Sequence, residues 1–139
     1  KLNQELKVNY EALGVILKSN DGVSKEGMTA YTVFGRYSVV FPLMNQKNEV
    51  VNLFAIRFDM ETQQAEYLNS EGIYPNYPPP LTKRLYLVPT VLDCASLLQS
   101  KILENRDSVM ALHNAELLPQ HLEAIKTLHE LEEIIIIKN

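Results

Sequence analysis

Asp93 lies five residues past the apolar run RLYLV (84–88), inside RLYLVPTVLDCASLL (84–98). A short strand, a Pro-Thr corner and a helix form the place where α/β folds usually put their active sites. An acid there can ligate a metal. Asp93 is also three residues beyond Thr90, the spacing of a helix start in which the acid stabilises orphan N–H groups and the helix dipole. Both roles are open on spacing alone. Cys94 is next to it, where a helix start can lower a thiol pKa; with no His or Asp arrangement typical of a nucleophile nearby, it reads as a small core residue. Arg36 and Arg57 sit in or beside apolar strands, where a charge needs a partner. A nucleic-acid groove and a strand-end ion pair are equal readings of that pair. Asn69-Ser70 is a turn dipeptide as readily as a ligand contact. His121 and His129 are eight residues apart, two turns along a helix, and His113 precedes them. With one cysteine in the chain, this is no zinc-site spacing, and no zinc is expected.

The elements that must position these residues follow from periodicity. Residues 3–18 read as a short helix or an extended lead-in ending in the strand-like GVILK, and SNDG (19–22) is turn chemistry. TAYTVF (29–34), YSVVFPL (37–43), EVVNLFAIRF (49–58) and QAEYLNS (64–70) then predict an antiparallel meander. Pro42 is expected at a strand end, because it cannot donate to a ladder. EGIYPNYPPPLTK (71–83) holds four prolines and predicts an extended surface linker. Residues 1–80, with the linker from about 71, are therefore expected to be a β-rich subdomain, and 81–139 a second domain.

In that second part RLYLV (84–88), SVMAL (108–112) and EIIII (133–137) predict strands, with the isoleucine run read as a central one. A helix between the first two would bury Val91, Ala95, Leu98 and Ile102. A second, opening at Pro119, would bury Leu122, Ile125, Leu128 and Leu131. The β-α-β-α-β order argues for a parallel sheet with helices on both faces. The expected class is α/β, or α+β taken whole.

Of 139 residues, 46% are hydrophobic, enough for a real core, and the net charge is −4. Residues 1–80 and 81–139 each carry −2, so neither half is a basic nucleic-acid-binding arm. The single cysteine excludes an internal disulfide framework and points to a reducing cytoplasm. No apolar run is long enough to span a bilayer, and no signal peptide is visible. The start at Lys1 and the stop after IIIIKN read as the ends of an excerpt.

FGRYSVVFPL, VVNLFAIR, EYLNS and a strand–corner–helix with LD in its first turn occur here in an order and at a spacing that resemble the catalytic core of bacterial-type DNA primases. That core is a β-rich subdomain followed by a TOPRIM domain. The Tyr-Pro-rich linker is similar to that of Bacteroidetes and mobile-element TOPRIM proteins that carry a CHC2 zinc finger. The resemblance runs from about residue 10 to the end. It implies that Arg36, Arg57 and Asn69 contact nucleic acid or nucleotide, although Ser38, Ala55, Ile56 and Glu66 depart from the family pattern, Glu66 standing where the family has a lysine. It also implies a Mg²⁺ site, and there the chain departs further. Pro89 occupies the family's catalytic Glu position, Asp93 matches a second acid, Asn114 stands at the family's glycine, and Asn139 replaces the first residue of an Asp-x-Asp.

Asp93 and Asn139 are thus the metal positions that remain, too few carboxylates for two-metal phosphoryl transfer, so Mg²⁺ binding is expected to be weak or absent. The resulting expectation is a catalytically degenerate primase-like protein that contacts single-stranded DNA, or replication or recombination proteins. Two alternatives stand beside it. One is an active nucleotidyl transferase with acids supplied beyond residue 139. The other is a protein-interaction module on a Rossmann-like sheet, which the acidic pI favours more than DNA binding.

Overall fold

The computed structural model describes residues 16–18, 31–59, 61 and 63–138. The lead-in to residue 15, the SNDG turn and Asn139 lie outside the described residues. The fold is mixed α/β. Strands β1 (Ile16–Lys18) and β2 (Tyr31–Val33) pair antiparallel, with Ile16 opposite Val33. Strands β3 (Ser38–Met44), β4 (Val50–Arg57) and β5 (Gln64–Tyr67) form a second sheet in the order β3-β4-β5. Connections this short permit only antiparallel neighbours.

Central β4 buries Phe54, Ala55 and Ile56 in succession. The β3–β4 turn is built by Asn45, whose Oδ1 accepts from the N–H groups of Lys47 (2.8 Å) and Glu49 (3.0 Å). Pro42 sits inside β3 rather than at its end. It is accommodated because β3 is an edge strand, where a missing donor need not break a ladder.

A third sheet is parallel, in the order β7-β6-β8, from β6 (Arg84–Val88), β7 (Asp107–Ala111) and β8 (Glu133–Ile136). Arg84 is in register with Asp107 on one side and Glu133 on the other. Helix α1 (Val91–Ser100) connects β6 to β7, and α2 (Pro119–Lys126) connects β7 to β8. The central strand is therefore RLYLV, not the isoleucine run expected there. The isoleucine run lies at the edge of this sheet, with Ile134 and Ile136 exposed.

Each helix buries part of the face expected from the sequence, together with residues outside it. In α1 the buried residues are Val91 and Cys94; Lys101 ends the helix in a left-handed cap, so Ile102 falls outside it and is exposed. In α2 they are His121 and Ala124; Leu122 is exposed, while Ile125 and, beyond the helix, Leu131 pack against the core as expected. Leu128 is buried just past the helix end. The buried positions of α2 are thus a small residue and a histidine that caps the helix start.

The proline-rich segment is not a surface linker. Ile73 is fully buried and belongs to one core with Leu85, Leu87, Met110, Ala124 and Leu128, against which Tyr77 also packs. Ile73 exchanges backbone hydrogen bonds with Met44 (2.9 and 3.0 Å), and Tyr74 accepts one from Ala111 (2.9 Å). The chain divides into two compact units, Lys1–Val40 with Ala55–Leu68, and Phe41–Phe54 with Asn69–Asn139. Among the described residues no helix is long and apolar enough to cross a membrane.

His121 has a measurable consequence. Its Nδ1 accepts the N–H of Leu118 (2.9 Å), the residue before the first turn of α2, and the ring also bonds the backbone of Ala111. Burial pushes the imidazole below its ordinary 6.5, against the opposing pull of the Ala111 bond. The folded state therefore resists protonation. This contribution to stability is complete above pH 6.5 and is lost as pH falls from there through the lowered value. Glutamine at the same position can also accept the Leu118 N–H. His121→Gln is expected to flatten the fall in Tm on going from neutral to mildly acidic pH. Thermal melts across that range check this; a slope as steep as the parent's would assign the effect to other groups.

Candidate functional site

Two places gather the residues singled out by sequence. The first is the corner after β6. Pro89 is buried and has no side-chain donor; its carbonyl oxygen accepts the N–H of Ala115 (2.8 Å). Thr90 caps α1, its Oγ1 accepting the N–H of Asp93 (3.2 Å) and donating to Asp93 Oδ2 (2.6 Å). The Asp93 carboxylate is thus engaged in closing the helix start. Cys94 behind it is buried, and desolvation pushes its thiol up to about 12, far from a reactive thiolate.

The strand ends open onto a groove of ≈ 430 Å³ lined by Pro89, Leu112, Ala115, Ile136, Ile137 and Lys138. This lining does not fit Mg²⁺, which takes oxygen ligands in near-octahedral order. It is largely apolar, and among the described residues no three His, Cys, Asp or Glu side chains converge. Asn139, the remaining position of interest, lies outside the described residues.

Asn114 and Ala115 follow β7 with φ of 51° and 67°. Asn tolerates the left-handed region, which explains how it stands where the resemblance expects glycine; Ala does not. Ala115→Gly is expected to raise stability by about 0.5–1 kcal/mol, the relief of strain being partly offset by greater freedom of the unfolded chain. Urea denaturation measures it, and a loss of stability would mean that the alanine methyl packs productively.

The second place is a cleft of ≈ 540 Å³ in the first unit, lined among the described residues by Val33, Gly35, Arg36, Ser38, Arg57 and Gln63–Glu66. The tight turn through Gly35 (φ 68°) presents Arg36, and the end of β4 presents Arg57. A Cβ at Gly35 would approach Val40 and Ala55 to 3.0–3.1 Å, so this turn also needs glycine for space. The two arginines, 21 positions apart, meet at one side chain that sequence reasoning passed over. Tyr37 has Arg36 Cζ 4.8 Å and Arg57 Cζ 5.6 Å from its ring centroid. Arg36 also donates to its hydroxyl (3.0 Å). The available signal was an aromatic directly after a Gly-Arg turn.

Arg57 is paired with Asp59 through two parallel bonds, Nε to Oδ1 (3.0 Å) and Nη2 to Oδ2 (2.9 Å). That contact holds the guanidinium above its ordinary value and the carboxylate below its own. The strand-end ion pair is therefore present, and its arginine lines the cleft.

Asn69 belongs to the other unit. Its Nδ2 donates to the Val51 carbonyl (3.0 Å) and its Oδ1 accepts the N–H of Glu71 (2.8 Å), so its amide shapes the turn after β5.

No model of a known protein family matches the chain, and neither does any curated protein. Solved structures do. The DnaG primase catalytic domain bound to single-stranded DNA matches 96% of this chain and 43% of its own length, with TM-score 0.66 and 15% identity. A DNA primase domain from Pseudomonas aeruginosa matches 98% of this chain and 42% of its own, with TM-score 0.69 and 15% identity. The chain thus spans about two fifths of the structures it matches. At this identity the likeness is one of fold: the architecture is primase-like, a β-rich part followed by a parallel sheet with flanking helices.

Proposed function

We propose that the chain is the frame of a DNA primase core that has lost the chemistry of its metal corner and keeps a surface for single-stranded DNA. The observation that carries this is a buried proline, Pro89, at the strand end where the resemblance expects the catalytic Glu, in a groove whose lining does not fit Mg²⁺. The cleft of Arg36 and Arg57 is the working surface on this reading. Support comes from the primase-like fold and from a matching primase domain solved with single-stranded DNA.

The finer reading takes residues 81–139 as a TOPRIM-like domain and places the protein with CHC2 zinc finger/TOPRIM proteins of mobile elements. It would act in the cytoplasm beside replication or recombination proteins. Asp93 closes a helix rather than holding metal, and Asn69 supports a turn rather than touching nucleotide.

Primer synthesis by the full-length protein on a single-stranded template, with Mg²⁺ or Mn²⁺, is expected to stay at background. Robust primer formation that persists in Asp93→Ala would overturn the loss of chemistry. Retention on single-stranded DNA at low salt tests the surface. Its absence would favour a protein-interaction module instead.

A further inference from the structure

Tyr37 has 67% of its surface open to solvent, although it is an aromatic residue with two arginine side chains close to its ring. Its backbone lies in the left-handed region (φ 58°), which bulky L residues rarely adopt. Glycine would make this turn with less strain, yet the chain keeps a ring here and aims it outward.

The charges around it do not make a phosphate grip. The Arg57 fork is occupied by Asp59, and Glu66 lines the same cleft. Among the described residues, Arg36 is the cation of this cleft with no carboxylate partner. Phosphate binding depends on a surplus of such cations. The cleft offers instead the amides of Gln63 and Gln64, and beside it stands an exposed ring close to the guanidinium groups of Arg36 and Arg57. A flat ligand with a π face and polar edges suits these groups, as an unpaired nucleobase does.

We propose that Tyr37 is a stacking platform for an unpaired base of single-stranded nucleic acid, and that this cleft recognises the base more than the phosphate. The proposal rests on the reading of the cleft as a single-stranded DNA contact and names the group it takes.

The test compares fluorescently labelled oligothymidine with an abasic strand of equal length, by anisotropy, on the unchanged chain and on Tyr37→Ala and Tyr37→Phe. The unchanged chain is expected to bind oligothymidine roughly tenfold tighter than the abasic strand. Tyr37→Ala should lose that roughly tenfold preference without changing the salt dependence, and Tyr37→Phe should stay within about twofold of the parent, since the ring does the stacking. Equal affinity of the unchanged chain for both strands would overturn the proposal, as would oligothymidine binding by Tyr37→Ala at parental strength. Either result leaves the cleft standing as a single-stranded DNA contact. Binding of neither strand at low salt would remove that reading and this one with it. Should Tyr37→Ala fail to fold, the abasic comparison on the unchanged chain and the Tyr37→Phe result still decide.

Discussion

Ile73→Ala is expected to cost about 4 kcal/mol of folding stability, the upper part of the range for an isoleucine truncated in a closed core. Ile73 is fully buried among Leu85, Leu87, Met110, Ala124 and Leu128. Its backbone is fixed by both bonds to Met44, and the next carbonyl by Ala111. The walls therefore cannot collapse to fill the space, and the cavity adds its own cost to the lost burial. Urea denaturation gives the number. A loss below about 1 kcal/mol would mean that the proline-rich segment merely lies on the surface, since exposed positions change stability by only a few tenths.

Asn52→Ala is expected to cost about 3 kcal/mol. Asn52 is buried in β4, and its Nδ2 donates to the carbonyls of Asn69 (2.8 Å) and Glu71 (2.9 Å). Its Oδ1 accepts the N–H groups of Asn69 (2.9 Å) and Leu53 (2.8 Å). Truncation leaves several backbone groups of the turn without partners. The cost stays below the full sum because Asn69 and Glu71 are exposed and water can reach part of them. Asn52→Asp sharpens the test. It preserves shape but turns a carboxylate toward two carbonyl oxygens. It should be at least as damaging at neutral pH and partly recover as acid protonates the new group. An equal loss at every pH would show that packing, not hydrogen bonding, is what Asn52 supplies.

How much of this was legible varies by element, for physical reasons. The strands of the second and third sheets announced themselves through β-branched and aromatic runs, and α1 through Thr90 and Asp93, because strand pattern and helix caps are local. Strand order is not local. IIII reads as buried in any frame, yet in the structure it is the edge and RLYLV the centre. The face of α2 was read correctly at Ile125, Leu128 and Leu131 and missed at Leu122, which fits the apolar period but is exposed, while a small residue and a capping histidine are buried. The segment 71–83 was misread because its prolines excluded regular structure; they did not exclude burial, and the apolar Ile73 and Tyr77 beside them were the sign.

At the candidate site, Arg36 and Arg57 could be singled out one by one. Their meeting at Tyr37 depends on a turn and a strand end brought together by folding. Asp59, two residues from Arg57, was close enough in sequence to hint at the ion pair.

Cys94 is the sole cysteine of the chain, buried behind the corner with its thiol pushed up to about 12. It is therefore silent toward thiol reagents while the fold is intact. The native sequence is already a background for site-directed labelling. A cysteine introduced at an exposed position such as Val39 or Lys101 would take a fluorophore or spin label by itself, with no residue removed from the core first.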